Sequence, residues 1–256
     1  MIIDTHAHLY FPELRDNINE IMENALKAGI IKIILPAVDL KTIDIALDLS
    51  SKYEQIFTAV GFHPCDITDV DESVLYRVEN LCTHEKVVAV GETGLDYYWD
   101  KSNIEKQKYF FRSQIEISLR NKLPVIIHTR DSIGDAIDIV KDYKEILTGQ
   151  FHCFSGNEAE LESVLTDTKL LVSFCGNITY KKNTTAGLLY KIPTKRMLAE
   201  TDSPFLPPVP YRGKKNQPAF VVNTLKFMSE KLEIDNDEFI KILYDNTISL
   251  FPRLLI

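Results

Sequence analysis

Long apolar runs are missing from this chain. The longest, at residues 33–35, 87–90 and around 169–174, fall far short of the roughly 20 residues needed to span a bilayer. No membrane partner is expected. The opening MIIDTHAHLY has neither a basic stretch nor a small-residue cleavage site, so no signal peptide is read and a cytoplasmic location is expected. Cysteine is scarce: four, at 65, 82, 153 and 175, with no CxxC pair. Four free thiols in a reducing compartment are the expectation, and a thiolate zinc site finds no support. Glycine (10) and proline (11) are too few for collagen-like or linker-rich character. Positive charge is in deficit, 29 basic against 37 acidic residues, net −8. That argues against a sequence-independent DNA coater, which needs a basic face. It leaves room for an enzyme that meets phosphodiesters through metal cations. No GxSxG, P-loop or EF-hand loop occurs, so a serine triad of the nucleophile-elbow kind, a nucleotide cradle and a calcium loop are all set aside.

What is present is an alternation of two periods. Short β-rich runs at 2–5, 32–36, 56–60, 87–90, 125–128, 149–153, 170–174 and 197–199 are separated by amphipathic helical stretches. The helical patterns cover 17–28, 41–52, 72–82, 103–120, 134–143, 157–165, 217–231 and 235–249. Strands alternating with helices predict a parallel sheet. Eight of them in 256 residues match a closed (β/α)8 TIM barrel spanning 1–256 as one domain. An open doubly wound sheet is the alternative, but the glycine-rich turn that usually follows its first strand is absent. No linker or repeat breaks the chain. Its most irregular stretch is 201–218, with five prolines and several basic residues. It follows the last strand, where a barrel builds its active face.

Four of the six histidines, and the most suggestive carboxylates, fall at C-terminal strand ends, the end where barrels place their chemistry. His6 and His8 share one face of the first strand by the period of two. Two adjacent imidazoles begin a divalent metal site, although a lone HxH is a weak signal and two half-exposed histidines are the ordinary reading. Glu92 shares parity with Val88 and Val90. His128 ends strand five and His152 ends strand six. Asp202 shares parity with Leu198 and Glu200, which puts Asp202 at the rim and Glu200 one layer deeper, where it can orient a ligand. Four histidines, a glutamate and an aspartate at one mouth suit two divalent metals bridged by a carboxylate and a hydroxide.

The motifs DTHAHL (4–9), GFHP (61–64), GETGLDYY (91–98), HTRD (128–131), HCFSG (152–156), ETDSP (200–204) and RGKKNQP (212–218), in that order and over essentially the whole chain, resemble the TatD family of metal-dependent deoxyribonucleases within the amidohydrolase-like metal barrels. The resemblance implies His6, His8, Glu92 and Asp202 around one metal, and Glu92, His128 and His152 around the other. Glu92 takes the bridging place that a carbamylated lysine holds in many related hydrolases. It also implies a deoxyribonuclease, commonly a 3′→5′ exonuclease, acting on DNA ends of single strands, with metal-bound hydroxide as nucleophile. Asp202 is the expected general base and Glu92 the expected bridge. Mg²⁺ or Mn²⁺ suits the activity, while the ligand types also suit bound Zn²⁺. A monomer is expected. One departure stands out: Gln217 occupies a usually acidic place in the last motif.

Three further residues are candidate substrate contacts: His63 in its proline-stiffened loop, Arg130, and Arg212, which is expected to grip a backbone phosphate beside lysines 181, 182, 214 and 215. Arg130 has pairing with Asp131 as its alternative. Tyr97, Tyr98 and Trp99 either stack on bases or form a packed lid. Two other functions compete with the nuclease: a small-molecule amidohydrolase or lactonase of the same superfamily, and a weakly catalytic interaction protein.

Overall fold

The computed structural model describes residues 1–99 and 101–255. Eight parallel strands pair in sequence order: β1 (Ile2–Asp4), β2 (Ile30–Pro36), β3 (Ile56–Val60), β4 (Val87–Asp96), β5 (Val125–Arg130), β6 (Gly149–Phe151), β7 (Leu171–Phe174) and β8 (Met197–Ala199). The ends meet just past β8 and β1, through a parallel bridge between Ala7 and Ser203. There Asp202 N donates to His6 O at 2.8 Å and His8 N to Ser203 O at 2.7 Å. This is the (β/α)8 barrel expected from the alternation.

The helices are α1 (Pro12–Arg15), α2 (Ile18–Lys27), α3 (Leu40–Lys52), α4 (Val74–Leu81), α5 (Ile104–Asn121), α6 (Ile133–Val140), α7 (Glu158–Asp167), α8 (Val221–Leu232) and α9 (Asn236–Leu250). Three 3₁₀ turns, Gly176–Thr179, Thr185–Lys191 and Thr194–Arg196, replace a helix between β7 and β8. The one-turn α1 escapes the periodicity because four residues carry less than two helical turns of pattern. None of the described helices is long and apolar enough to cross a membrane.

Side chains alternate between two apolar layers. Ile33, Leu35, Val125 and Ile127 join the layer that also holds helix residues such as Phe110 and Phe239. Ile3, Ile34, Phe57, Val88, Ile126 and Leu198 form a second cluster, together with Leu250, Phe251 and Leu254 from the end of α9 and the turn after it. Arg253 fixes that turn, its Nη1 donating to the carbonyls of Cys82 and Val87, both at 2.8 Å. The barrel's N-terminal end is thus stoppered by chain made long after the strands it covers. The opposite end stays open.

The strand that differs most from expectation is β4. The pattern stops at Val90, but the strand runs to Asp96, opposite Arg130 of β5. Gly94 makes this possible. A Cβ there would lie 2.1 Å from the His128 carbonyl oxygen, and its φ of +137° disfavours other residues. Glycines that look like strand breakers in sequence here permit close approach of two strands.

Candidate metal centre

His6 and His8 leave β1 on the same side, and their Nε2 atoms come within 3.1 Å. Glu92 Oε2 is 3.2 Å from His6 Nε2 and 3.7 Å from His8 Nε2. Asp202 Oδ1 is 3.7 and 3.3 Å from the same two nitrogens. Donors bound at about 2.1 Å to one tetrahedral cation stand about 3.4 Å apart, so this spacing is that of a ligand set. The other Glu92 oxygen faces a second set. Oε1 lies 3.0 Å from His128 Nδ1 and 2.9 Å from His152 Nε2, and those two nitrogens are 3.1 Å apart. His63 Nε2 flanks this second set at 3.7 Å from Oε1.

The far nitrogens of these rings fix which way the lone pairs point. Tyr10 Oη donates to the Pro36 carbonyl at 3.0 Å, so it accepts from His8 Nδ1 at 2.5 Å and leaves His8 Nε2 with a free pair. Asp96 Oδ2 holds His128 Nε2 at 3.0 Å, leaving Nδ1 free to ligate. Glu200 Oε1 faces His152 Nδ1 at 3.3 Å. Glu200 is itself fully buried and held by Ser173 Oγ at 2.6 Å and the Cys153 backbone N–H at 2.7 Å. Carboxylates behind ligating histidines are the usual support of a metal site. His6 Nδ1 is buried with no hydrogen-bond partner. Buried acceptor nitrogens turned towards one another and towards two carboxylates fit divalent cations, one on each side of Glu92.

The carboxylates dominate the electrostatics. Burial alone would raise the Glu92 carboxyl, but the charges of His152 and His6 and hydrogen bonds from His128 and His152 hold it well below the usual range. Burial likewise opposes the charge on His152, yet Glu92 and Glu200 drive it well above an ordinary imidazole. Asp202 is kept low, against its burial, by a bond from His8 and the neighbouring imidazoles. His63 goes the other way, burial and His128 pushing it down to about 3. It is neutral at physiological pH. Its Nδ1 accepts from the Cys65 N–H at 3.2 Å, so Nε2 carries the proton.

Asp202 sits in the left-handed region, φ +55°, which aspartate tolerates better than most residues. Two side chains hold its loop. Asp4 accepts from Thr201 N at 2.9 Å and from Thr201 Oγ1. Asn216, buried, donates to the carbonyls of Thr201 at 2.8 Å and Phe205 at 2.6 Å. The RGKKNQP motif therefore braces the loop that carries Asp202. Gln217 accepts from Asn24 Nδ2 of α2 at 3.2 Å, a bond an amide makes without a charge.

The centre lies in an open cavity of about 920 Å³. Arg130 lines it, with no ion pair to Asp131 among the described residues; its guanidinium lies 3.8 Å from the Tyr98 ring centroid. Arg212 does not line it. Its guanidinium rests 4.4 Å from the Tyr180 ring instead, and the lysines 181, 182, 214 and 215 are exposed. Arg15 and Lys41 do line the cavity, and neither is singled out by the sequence, because each lies on a helix that only the fold turns towards the mouth. Asp96, Tyr10 and Asn216 were also invisible, since their roles depend on partners 15 to 32 residues away. The expectation of four free thiols is corrected. Cys153 and Cys175, at the ends of β6 and β7 with Cα atoms 5.4 Å apart, are disulfide-paired. Adjacent strands bring together two cysteines that are 22 residues apart in sequence.

Known proteins are similar to this chain in sequence and fold. The family model described as TatD related DNase matches residues 3–252. An uncharacterized metal-dependent hydrolase of Bacillus subtilis, YabD, is 38% identical over 253 residues, covering 98% of this chain and 99% of its own. An uncharacterized metal-dependent hydrolase of Escherichia coli, YcfH, is 31% identical, with 98% and 95% covered. Among solved structures, YjjV, a TatD homologue from Escherichia coli, superposes with a TM-score of 0.92 at 29% identity, covering 98% of each chain. An uncharacterized amidohydrolase of Saccharomyces cerevisiae, at 17% identity and a TM-score of 0.87, shares the fold. With fold, strand-end motifs and near full-length identity in agreement, the chain belongs to the TatD-related DNase family of metal-dependent hydrolases.

Proposed function

We propose that this protein hydrolyses phosphodiester bonds of DNA at a two-metal centre held by His6, His8, Glu92 and Asp202 on one side and Glu92, His128 and His152 on the other. The observation that carries the reading is the division of Glu92, one oxygen to each donor set. Bound divalent cations would polarise the phosphoryl oxygen and make water nucleophilic at neutral pH. The protein's own groups do the rest. Asp202, held as a carboxylate at the cavity wall, accepts the proton of the attacking water at an Oδ atom. His63 donates from Nε2 to a phosphoryl oxygen and stays neutral while doing so. Glu200 and Asp96 keep His152 and His128 aimed.

Phosphodiesters are favoured over amides or lactones by the mouth itself. Arg15, Lys41 and Arg130 line the cavity, and none has an ion-pair partner among the described residues. Unpaired cations round an open cleft suit an anionic polymer. Exonucleolytic polarity, 3′→5′ on single strands, is part of the proposal. The deciding experiment follows 3′- and 5′-labelled single-stranded and duplex oligonucleotides with Mg²⁺, Mn²⁺ or Zn²⁺, against a chelator control. Glu92→Gln is expected to abolish cleavage. A variant that keeps its metal and near wild-type rate would end the two-metal reading, and hydrolysis of dihydropyrimidines or lactones with DNA untouched would end the nuclease reading.

A further inference from the structure

The mouth carries aromatic groups on two sides of the metal centre, each beside an unpaired cation. On the first side Phe11, just before α1, and Phe205, in the loop after β8, meet edge to face with centroids 5.7 Å apart. Both rings abut the His8 imidazole, at 5.7 and 6.2 Å. Phe205 is 49% exposed, an uncompensated cost for a phenyl ring unless something covers it. Arg15 stands one turn along from Phe11, and Lys41, in the first turn of α3, lines the same cavity. On the second side Trp99, 69% exposed, follows β4, with Arg130 of β5 5.3 Å from its ring. Loops of β8 and β1 are adjacent across the barrel seam, and those of β4 and β5 lie half a circuit away. The two walls therefore face each other across the candidate metal centre.

Resting on the nuclease reading above, we infer that the centre is a two-sided site: one nucleobase stacks on the Phe11–Phe205 wall and another on Trp99, with the scissile phosphate between them. A site for a small phosphate ester, or for a terminal monophosphate alone, would need only one wall. Each cation is placed to meet a phosphate flanking its base. The walls accept any base, because stacking uses the ring face and not its hydrogen-bonding edge.

The test uses a short thymidylate strand with one cleavable bond, and the same strand with an abasic residue on either side of that bond. Phe205→Ala and Trp99→Ala are each expected to lower kcat/KM about tenfold on the intact strand, the size of one base–aromatic stack. Each loss should shrink to below about twofold when the abasic residue stands on that ring's own side, and the two rings must answer to opposite sides. Phe205→Trp should retain the rate. Equal losses on intact and abasic strands would make the rings structural and overturn the inference. Two rings answering to the same side would overturn the two-sided arrangement. A wild-type protein that cleaves no strand at all would sink the nuclease reading and this inference with it, an outcome visible before any variant is compared.

Discussion

Glu92 reaches its position by a route that alternation does not describe. The pairing of β4 with β5 shifts register between Val90 and Thr93, and Gly91, with φ +155°, would place a Cβ 2.9 Å from Ile126. The parity count through Val88 and Val90 arrives at the correct side of the sheet, but over an irregular stretch where counting has no physical warrant. His6 and His8 are different: two residues apart at a strand end, they were legible because only the period of two was needed. Asp96 was not legible, being one acidic residue in a run of aromatics until β5 sets His128 beside it. Asp96→Asn tests its part. Losing the negative charge behind His128 Nε2 should weaken metal binding or activity by about 10–100-fold, read by isothermal titration with Zn²⁺ and by single-turnover rates. An unchanged affinity and rate would mean that His128 needs no such orientation. Another residue-scale prediction concerns Cys82. Burial pushes its thiol up to about 12 from an ordinary 9.0, and Sγ bonds the Val78 carbonyl at 3.3 Å. The folded protein keeps a proton that the unfolded chain gives up, so this group's contribution to stability falls as pH rises from about 9 towards 12. Iodoacetamide at pH 9 should spare Cys82 in the native protein and label it after denaturation; rapid native labelling would contradict the burial.

Elements were easier to read than side-chain roles. All eight strands overlap the β-rich runs of the sequence, and long helices show themselves by a buried stripe. What the pattern missed was short or bent by tertiary contacts: α1 and the extension of β4. Helix starts were legible too. Asn157 accepts from Glu160 N at 3.1 Å while Glu160 Oε2 accepts from Asn157 N at 2.7 Å, a reciprocal cap at the head of α7. Asn157→Ala should cost about 1 kcal/mol, seen as a lower urea midpoint at constant slope. No change would show that packing alone holds α7. Arg212 shows the limit of element-level reasoning. Its loop is where barrels commonly hold phosphate, but the Tyr180 ring holds the guanidinium away from the cavity wall, and the wall takes its cations from α1, α3 and β5 instead.

At the scale of the whole barrel, the centre ties β1, β4, β5, β6 and the segment after β8 into one coordination network, so metal should act as a structural clasp as well as a reagent. A cation at 100 times its dissociation constant adds about 2.7 kcal/mol to the folded state, which for a chain of this size is a rise of roughly 5–10 °C in Tm. Calorimetry of chelated protein, titrated with Zn²⁺ or Mn²⁺, should trace that rise with concentration. A Tm indifferent to metal would mean that the donors are not held by it. The opposite end of the barrel has a clasp of a different kind, and its consequence concerns birth more than function. Arg253 grips the carbonyl of Val87 across 166 residues of sequence. At a synthesis rate of about 5–20 residues per second, β4 waits roughly ten to thirty seconds for that partner. During that interval Phe57, Val88 and Ile126 line an unsealed floor. A chain stalled on the ribosome short of Leu250 is therefore a natural client for chaperones that hold exposed apolar surface, and release of the finished chain lets the floor close.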